Sequence, residues 1–246
     1  MGRSDTRLTP RLGLLACDSI WEPLRSAHGD YAEMYSAMLR EAGAHFELVT
    51  YAVHAGELPA TTGECDAWII SGSRAAVYED RPWIAALQRF ARAARDARVP
   101  QVGVCFGHQL LAHALGGRAE PAPGGWGIGN IELSLRAPLV AAAAFPARIR
   151  LFMAHQDQVV ALPPGGELLA EAAHCAHAMF RVGDRVLGIQ PHPEFTAGFM
   201  RAMTAEDSFK LPPLLREQAL ASYGEPVDNP LVGGWIADFL GLRPRA

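Results

Sequence analysis

One cysteine in this chain stands where nucleophilic chemistry is easiest to arrange. Cys105 lies between Gly103 and Gly107, directly after an apolar run and before a helical one. A nucleophile on so sharp a strand-to-helix turn is presented at a helix N-terminus. There the free backbone N–H groups and the helix dipole favour thiolate over thiol. Far downstream, Gly188-Ile189-Gln190-Pro191-His192-Pro193-Glu194-Phe195 supplies a base and a carboxylate. His192 and Glu194 are one residue apart, so in extended chain their side chains share a face. The carboxylate can then hold one imidazole nitrogen while the other faces the thiol. Pro191 and Pro193 remove two N–H donors and stiffen the segment. That suits a loop holding a base, and it equally suits an ordinary rigid turn.

Two further groups belong to the same constellation. Gln109 follows Cys105 by four residues, about one helical turn along the same face, where its amide can hydrogen-bond a substrate carboxamide. Ser71-Gly72-Ser73 closes a buried strand, and in parallel sheets functional groups gather at the C-terminal strand ends. The N–H groups of Gly72 and Phe106 are therefore candidates for an oxyanion hole. Loss of one such donor slows catalysis by on the order of a hundredfold.

The elements that must position these residues follow from periodicity and turn signals. Residues 12–17, 46–53, 67–70 and 99–104 read as strands, and 31–41, 83–97 and 109–115 as helices. Alternation of strand and helix predicts a parallel sheet with helices on both faces. Residues 121–129 form a Pro/Gly-rich loop, after which the pattern changes. Short strands are predicted at 131–135, 149–153, 167–172, 178–182 and 186–190, as an antiparallel extension or edge. Helices follow at 197–204, 213–223 and 231–240. No repeat or linker interrupts the pattern, so one domain spanning residues 1–246 is expected.

Taken together, the Cys105 elbow with Gln109 and the later His192-Pro193-Glu194 resemble the class I glutamine amidotransferases, the Cys-His-Glu group. The resemblance implies an α/β, three-layer flavodoxin-like fold with a mostly parallel central sheet and an antiparallel extension. It implies Cys105 as nucleophile, His192 as base and Glu194 as its orienting carboxylate. Gly72 and Phe106 would be the oxyanion donors, and Gln109 would contact bound glutamine. The implied chemistry is cleavage of the γ-carboxamide through a γ-glutamyl thioester on Cys105. The segment Phe152-Met153-Ala154-His155-Gln156-Asp157 resembles a Ser-His-Gly-Asp stretch in the amidotransferase part of GMP synthetases. That likeness makes Ala154, His155 and Gln156 substrate-binding candidates through their backbone. Ala154 in place of Ser, Gln156 in place of Gly, and Pro191 before the histidine are departures from the family pattern. Trp126-Gly127-Ile128-Gly129 resembles a structural turn of the same family.

Other features bound the function. The net charge is −4 and half of the residues are hydrophobic. No basic stripe is present, which argues against a nucleic-acid partner. The longest apolar stretches fall short of a membrane span. The four cysteines match no CxxC pattern, and no secretory signal is seen, so free thiols in the cytoplasm are expected. His108 and His113 are poorly spaced for shared ligation. His174-Cys175-Ala176-His177 lacks a second ligand cluster, so neither a metal nor a cofactor is expected. No nucleotide-binding loop is found, and the residues after Glu194 read as a helical cap. Three readings follow: a free-standing glutamine amidotransferase that hands ammonia to a separate synthetase chain, a hydrolase of other γ-glutamyl amides acting alone, and a catalytically silent regulatory subunit.

Overall fold

A computed structural model describes residues 9–136, 146–206 and 209–243. Four strands, β1 (Arg11–Ala16), β2 (Glu47–Ala52), β3 (Ala67–Ile70) and β4 (Gln101–Val104), alternate with helices α1 (Leu24–His28), α2 (Tyr31–Glu41) and α3 (Pro82–Asp96). Helix α4 (Phe106–Ala114) leads into seven strands: β5 (Arg118–Pro121), β6 (Gly127–Leu135), β7 (Arg148–His155), β8 (Asp157–Ala161), β9 (Gly166–Glu171), β10 (Met179–Val182) and β11 (Val186–Ile189). Three helices follow: α5 (Ala197–Ala205), α6 (Pro213–Ser222) and α7 (Asn229–Phe239).

Nine strands form one sheet in the order β2-β1-β3-β4-β11-β10-β9-β6-β7. From β2 to β11 every pairing is parallel. From β11 to β7 every pairing is antiparallel. Within the parallel half β1, β3, β4 and β11 are buried on both faces, as helices packed on either side require, while the edge strand β2 is partly exposed. Period-2 alternation assigns its side chains: Leu12, Leu14, Ala67 and Ile69 enter one core, and Leu15, Trp68 and Ile70 the other. The first core is covered by residues of α2, α5 and α7, such as Tyr35, Leu39, Phe199 and Ile236. The second is covered by Ile84, Leu87 and Ala91 of α3 and Leu110 and Leu111 of α4.

The helices start where their capping chemistry dictates. Asp30 and Glu33 form a reciprocal capping box at α2. Pro82 occupies the first turn of α3, where a missing N–H costs nothing. The three layers and the parallel-then-antiparallel sheet agree with the expected fold class.

Some boundaries differ from the sequence expectation. Helix α4 begins at Phe106 rather than 109, and β6 begins at Gly127, inside the expected loop. Strands β5 and β8, a separate antiparallel pair, and the five-residue α1 had no counterpart in the sequence reading. Elements this short carry barely one period of any pattern, and Pro121 sits at the end of β5 where it masks the strand.

The glycines flanking Cys105 set the distance between strand and helix. A Cβ on Gly103 would stand 2.3 Å from the Gly107 carbonyl oxygen, and one on Gly107 would stand 2.2 Å from that of Ile70. Both obstacles are backbone, which cannot rotate away. Gly107→Ala is expected to destabilise the protein by about 1–3 kcal/mol or more through overpacking, read as a lower urea midpoint. An unchanged midpoint would mean that α4 and β3 have room to part.

Candidate active site

Three adjacent parallel strands end at the same place. Ile70 of β3 pairs with Gly103 of β4, and Val104 of β4 pairs with Ile189 of β11. One residue past β4 comes Cys105, two past β3 comes Gly72, and three past β11 comes His192. The Cys105 N–H extends the ladder by donating to the Ile189 carbonyl at 2.9 Å. Cys105 then adopts φ 53° and ψ −104°. Positive φ at a residue with a Cβ holds strain of order 1–3 kcal/mol. The strain turns the chain sharply into α4, of which Cys105 is the N-cap.

His192 Nδ1 lies 2.7 Å from Glu194 Oε1, which leaves Nε2 for the thiol. Cys105 lines the same cavity as the imidazole, and its charge acts on the ring. Both His192 and Glu194 are buried. The Tyr35 hydroxyl donates to the same Glu194 oxygen at 3.1 Å. Phe195 stacks on the imidazole with centroids 4.0 Å apart and planes 6° from parallel, so the ring has little freedom. Burial alone would lower the His192 pKa, but the charges on Glu194 and Cys105 push it up to about 10.

The far edge of the sheet returns to this point. The His192 N–H donates to the Phe152 carbonyl at 2.7 Å, a bridge between β7 and the segment after β11. That bridge carries the end of β7 over the nucleophile, with the Ala154 carbonyl 3.9 Å from Cys105 Sγ. Gly72 packs beside the imidazole: a Cβ there would stand 3.2 Å from His192 Cε1 and 3.0 Å from the Tyr31 hydroxyl. The Phe106 N–H opens α4, where intrahelical acceptors are absent. Phe106 directly follows Cys105 in the chain, and Gly72 lies against the His192 ring.

A cavity of about 260 Å³ opens over these groups. Cys105, His192, Gln109, Ala154, His155 and Gln156 all line it, so every expected substrate-binding residue reaches the same space. Gln109 is tied down: its amide nitrogen donates to the Asp157 carbonyl at 2.7 Å and to Gln190 Oε1 at 3.1 Å. Those hydrogens are engaged, so what it offers a ligand is its carbonyl oxygen, not the amide N–H. Neither ring nitrogen of buried His155 has a hydrogen-bond partner among the described residues. Burial, with His174 next, pushes its pKa down to about 3. Burial raises the Asp157 carboxyl above its usual range, with Tyr78 acting in the opposite direction.

These histidines make a pH prediction. Native His108 and His155, both pushed by burial to about 3, refuse protons that the unfolded chain accepts below its ordinary value of 6.5. Stability therefore falls as pH drops from 6.5 toward 3. His192 has the opposite sign. Its raised pKa contributes stability that is full below 6.5 and lost as pH rises toward about 10. The thermal midpoint is expected to peak near pH 6.5 and decline on both sides. A midpoint still climbing at pH 9 would contradict the ion pair.

The comparisons with known proteins point the same way. The family model for glutamine amidotransferase class-I matches residues 26–211. The chain belongs to that family. A glutamine amidotransferase-like protein of Schizosaccharomyces pombe is 29% identical over 93% of this chain and 98% of its own length. Gamma-glutamyl peptidase 4 of Arabidopsis thaliana is 30% identical over 70% of each chain. The glutamine-hydrolyzing GMP synthase of Thermomicrobium roseum is 36% identical over 67% of this chain, which spans only 29% of that enzyme. Among solved structures, a glutamine amidotransferase from Methylobacillus flagellatus shares the fold with a TM-score of 0.74, at 20% identity, covering 97% of each chain.

Several residues around the cavity escaped the sequence reading. Tyr31 and Tyr35 come from α2, which the sequence reading gave only as a helix. Trp21 and Phe209 come from loops with no motif. Arg74 is held by Asp18 through two contacts of 2.7 and 2.8 Å and lies over the Trp21 ring. Burial would raise the Asp18 pKa, but Arg74 holds it below the usual range. The cysteines other than Cys105 are buried and unpaired. No helix among the described residues is long and apolar enough to cross a membrane.

Proposed function

We propose that the protein is a cysteine hydrolase of γ-glutamyl amides. One observation carries the reading: a cysteine on a strained positive-φ elbow shares a cavity with a buried imidazole that is itself bonded to a buried carboxylate. The α-amino acid head of the substrate lies toward Gln109, Asp157 and Glu79, where acidic groups and the Gln109 carbonyl meet its ammonium. The Cys105 thiolate attacks the γ-carbonyl carbon and a C–S bond forms. The carbonyl electrons move onto oxygen, which the N–H groups of Gly72 and Phe106 hold. His192 Nε2 gives its proton to the leaving nitrogen as the C–N bond breaks. Ammonia or an amine departs, and a γ-glutamyl thioester remains. Water then gives a proton to His192 and attacks the thioester, releasing glutamate and restoring the thiolate.

Glutamine is the smallest such substrate. The larger γ-glutamyl peptides are favoured by a second cavity of about 810 Å³, lined by Trp126 and adjoining the first. Likeness to a protein named a gamma-glutamyl peptidase supports the same choice. The test is glutamate release from glutamine and from a panel of γ-glutamyl peptides by the purified chain, with labelling by a glutamine-mimicking electrophile. Turnover with label confined to Cys105 is the expected result. Glutamine cleavage that rises only when a synthetase chain is added would favour ammonia transfer to a partner. No label and no turnover would leave a silent regulatory subunit.

A further inference from the structure

The second cavity has a shape and lining that ammonia does not need. Five residues, Trp21, Arg74, Trp126, Gln156 and Phe209, line both it and the cavity over Cys105, so the two adjoin. Its volume of about 810 Å³ compares with about 30 Å³ for one water in the liquid. Phe209 stands between the two tryptophans, 5.3 Å from Trp21 and 5.4 Å from Trp126, tilted to one and edge-on to the other. Pro212 and Leu215 extend the apolar wall. The outer rim carries Lys210, the sole lysine of the chain.

Glu79, Gln109 and Asp157 make one part of the inner cavity polar, and Trp21, Trp126 and Phe209, with Arg74 over the Trp21 ring and Gln156, make the part shared with the second cavity largely aromatic. A γ-glutamyl amide bound with its carbonyl at Cys105 and its amino-acid head at the polar part projects its leaving group toward the aromatic chamber.

We propose that this chamber is the leaving-group site, and that it selects γ-glutamyl amides whose amine carries an aromatic ring. The inference rests on the γ-glutamyl hydrolase reading and adds the class of amine released. An aromatic ring here replaces water against Trp21, Trp126 and Phe209 and gains offset or edge-on ring contacts. A glycine or ammonia leaving group makes none of these. Because the ring stays bound while the C–N bond breaks, the gain appears in kcat/KM.

The experiment compares kcat/KM for γ-glutamyl-phenylalanine, γ-glutamyl-phenethylamine, γ-glutamyl-glycine and glutamine with the purified full chain. Both aromatic substrates are expected to exceed γ-glutamyl-glycine by at least about tenfold, within the range one apolar pocket can discriminate. The phenethylamine arm separates ring recognition from attraction of a carboxylate to Lys210. If γ-glutamyl-phenylalanine and γ-glutamyl-glycine both exceed γ-glutamyl-phenethylamine, the carboxylate and not the ring is being read, and the proposal is overturned. Parity among all four overturns it too, while leaving γ-glutamyl hydrolysis intact. No turnover of any of them removes both. Trp126→Ala supplies the second measurement: the ratio of aromatic to glycine substrate should collapse toward one. A ratio that stays high in a folded Trp126→Ala protein also overturns the assignment.

Discussion

Replacing Cys105 by alanine is expected to abolish γ-glutamyl amide cleavage, with a loss of at least about four orders of magnitude in kcat, while the fold persists. The size follows from the role. Without sulfur there is no thioester route, and only binding and the oxyanion donors remain to assist water. The stability side is equally specific. Cys105 holds φ 53°, and alanine must hold it too, so Cys105→Ala should melt close to the parent. Cys105→Gly relieves the strain that any Cβ incurs there. It is expected to melt above the alanine variant while being just as inactive. Steady-state kinetics and thermal melts on the three proteins check both halves. Residual turnover within tenfold of the parent would remove Cys105 from the mechanism. A glycine variant that melts below alanine would mean that the elbow is not strained.

Glu194→Gln is expected to lower kcat by about three to four orders of magnitude, the scale seen when a triad carboxylate becomes an amide. The carboxylate accepts from His192 Nδ1 at 2.7 Å and so leaves Nε2 to face the thiol. An amide can instead donate to Nδ1, which puts the imidazole proton on Nε2 and leaves no base for the sulfur. Loss of the negative charge also removes the main cause of the raised His192 pKa, so the alkaline fall in stability should flatten in the same variant. Tyr35→Phe is the measured control. It deletes one donor to Glu194 Oε1 but keeps the carboxylate, and should cost about tenfold, the worth of one hydrogen bond to a charged group. Equal losses in the two variants would mean that packing, not charge, positions the base.

Much of the site was legible in sequence because its parts are local. The glycine-flanked elbow encodes its own geometry: only residues without a Cβ fit against the Gly107 and Ile70 carbonyls. The His192 to Glu194 spacing encodes the imidazole–carboxylate contact because alternate residues of extended chain share a face. The strand ends were legible because buried parallel strands read as apolar runs. Gln109 was located rightly on the α4 face that lines the cavity. Which of its amide atoms stays free was not legible, since the acceptors that occupy its N–H groups, Asp157 and Gln190, come from other segments. Likewise β5 and β8 pair across a long sequence separation, and neither is long enough to announce itself.

The amino-acid sequence by itself determined the family, the order of strands and helices around the elbow, and the residue types able to react. Tertiary structure alone decided that the edge strand β7 bridges back to His192 and brings Ala154, His155 and Gln156 over the sulfur. It alone gathered Trp21, Trp126 and Phe209 from three unconnected stretches into one chamber. The physical reason is range. Turn chemistry and side-chain period are properties of a few consecutive residues, whereas a cavity is the volume left over when distant side chains finish packing, and no local spacing records that remainder.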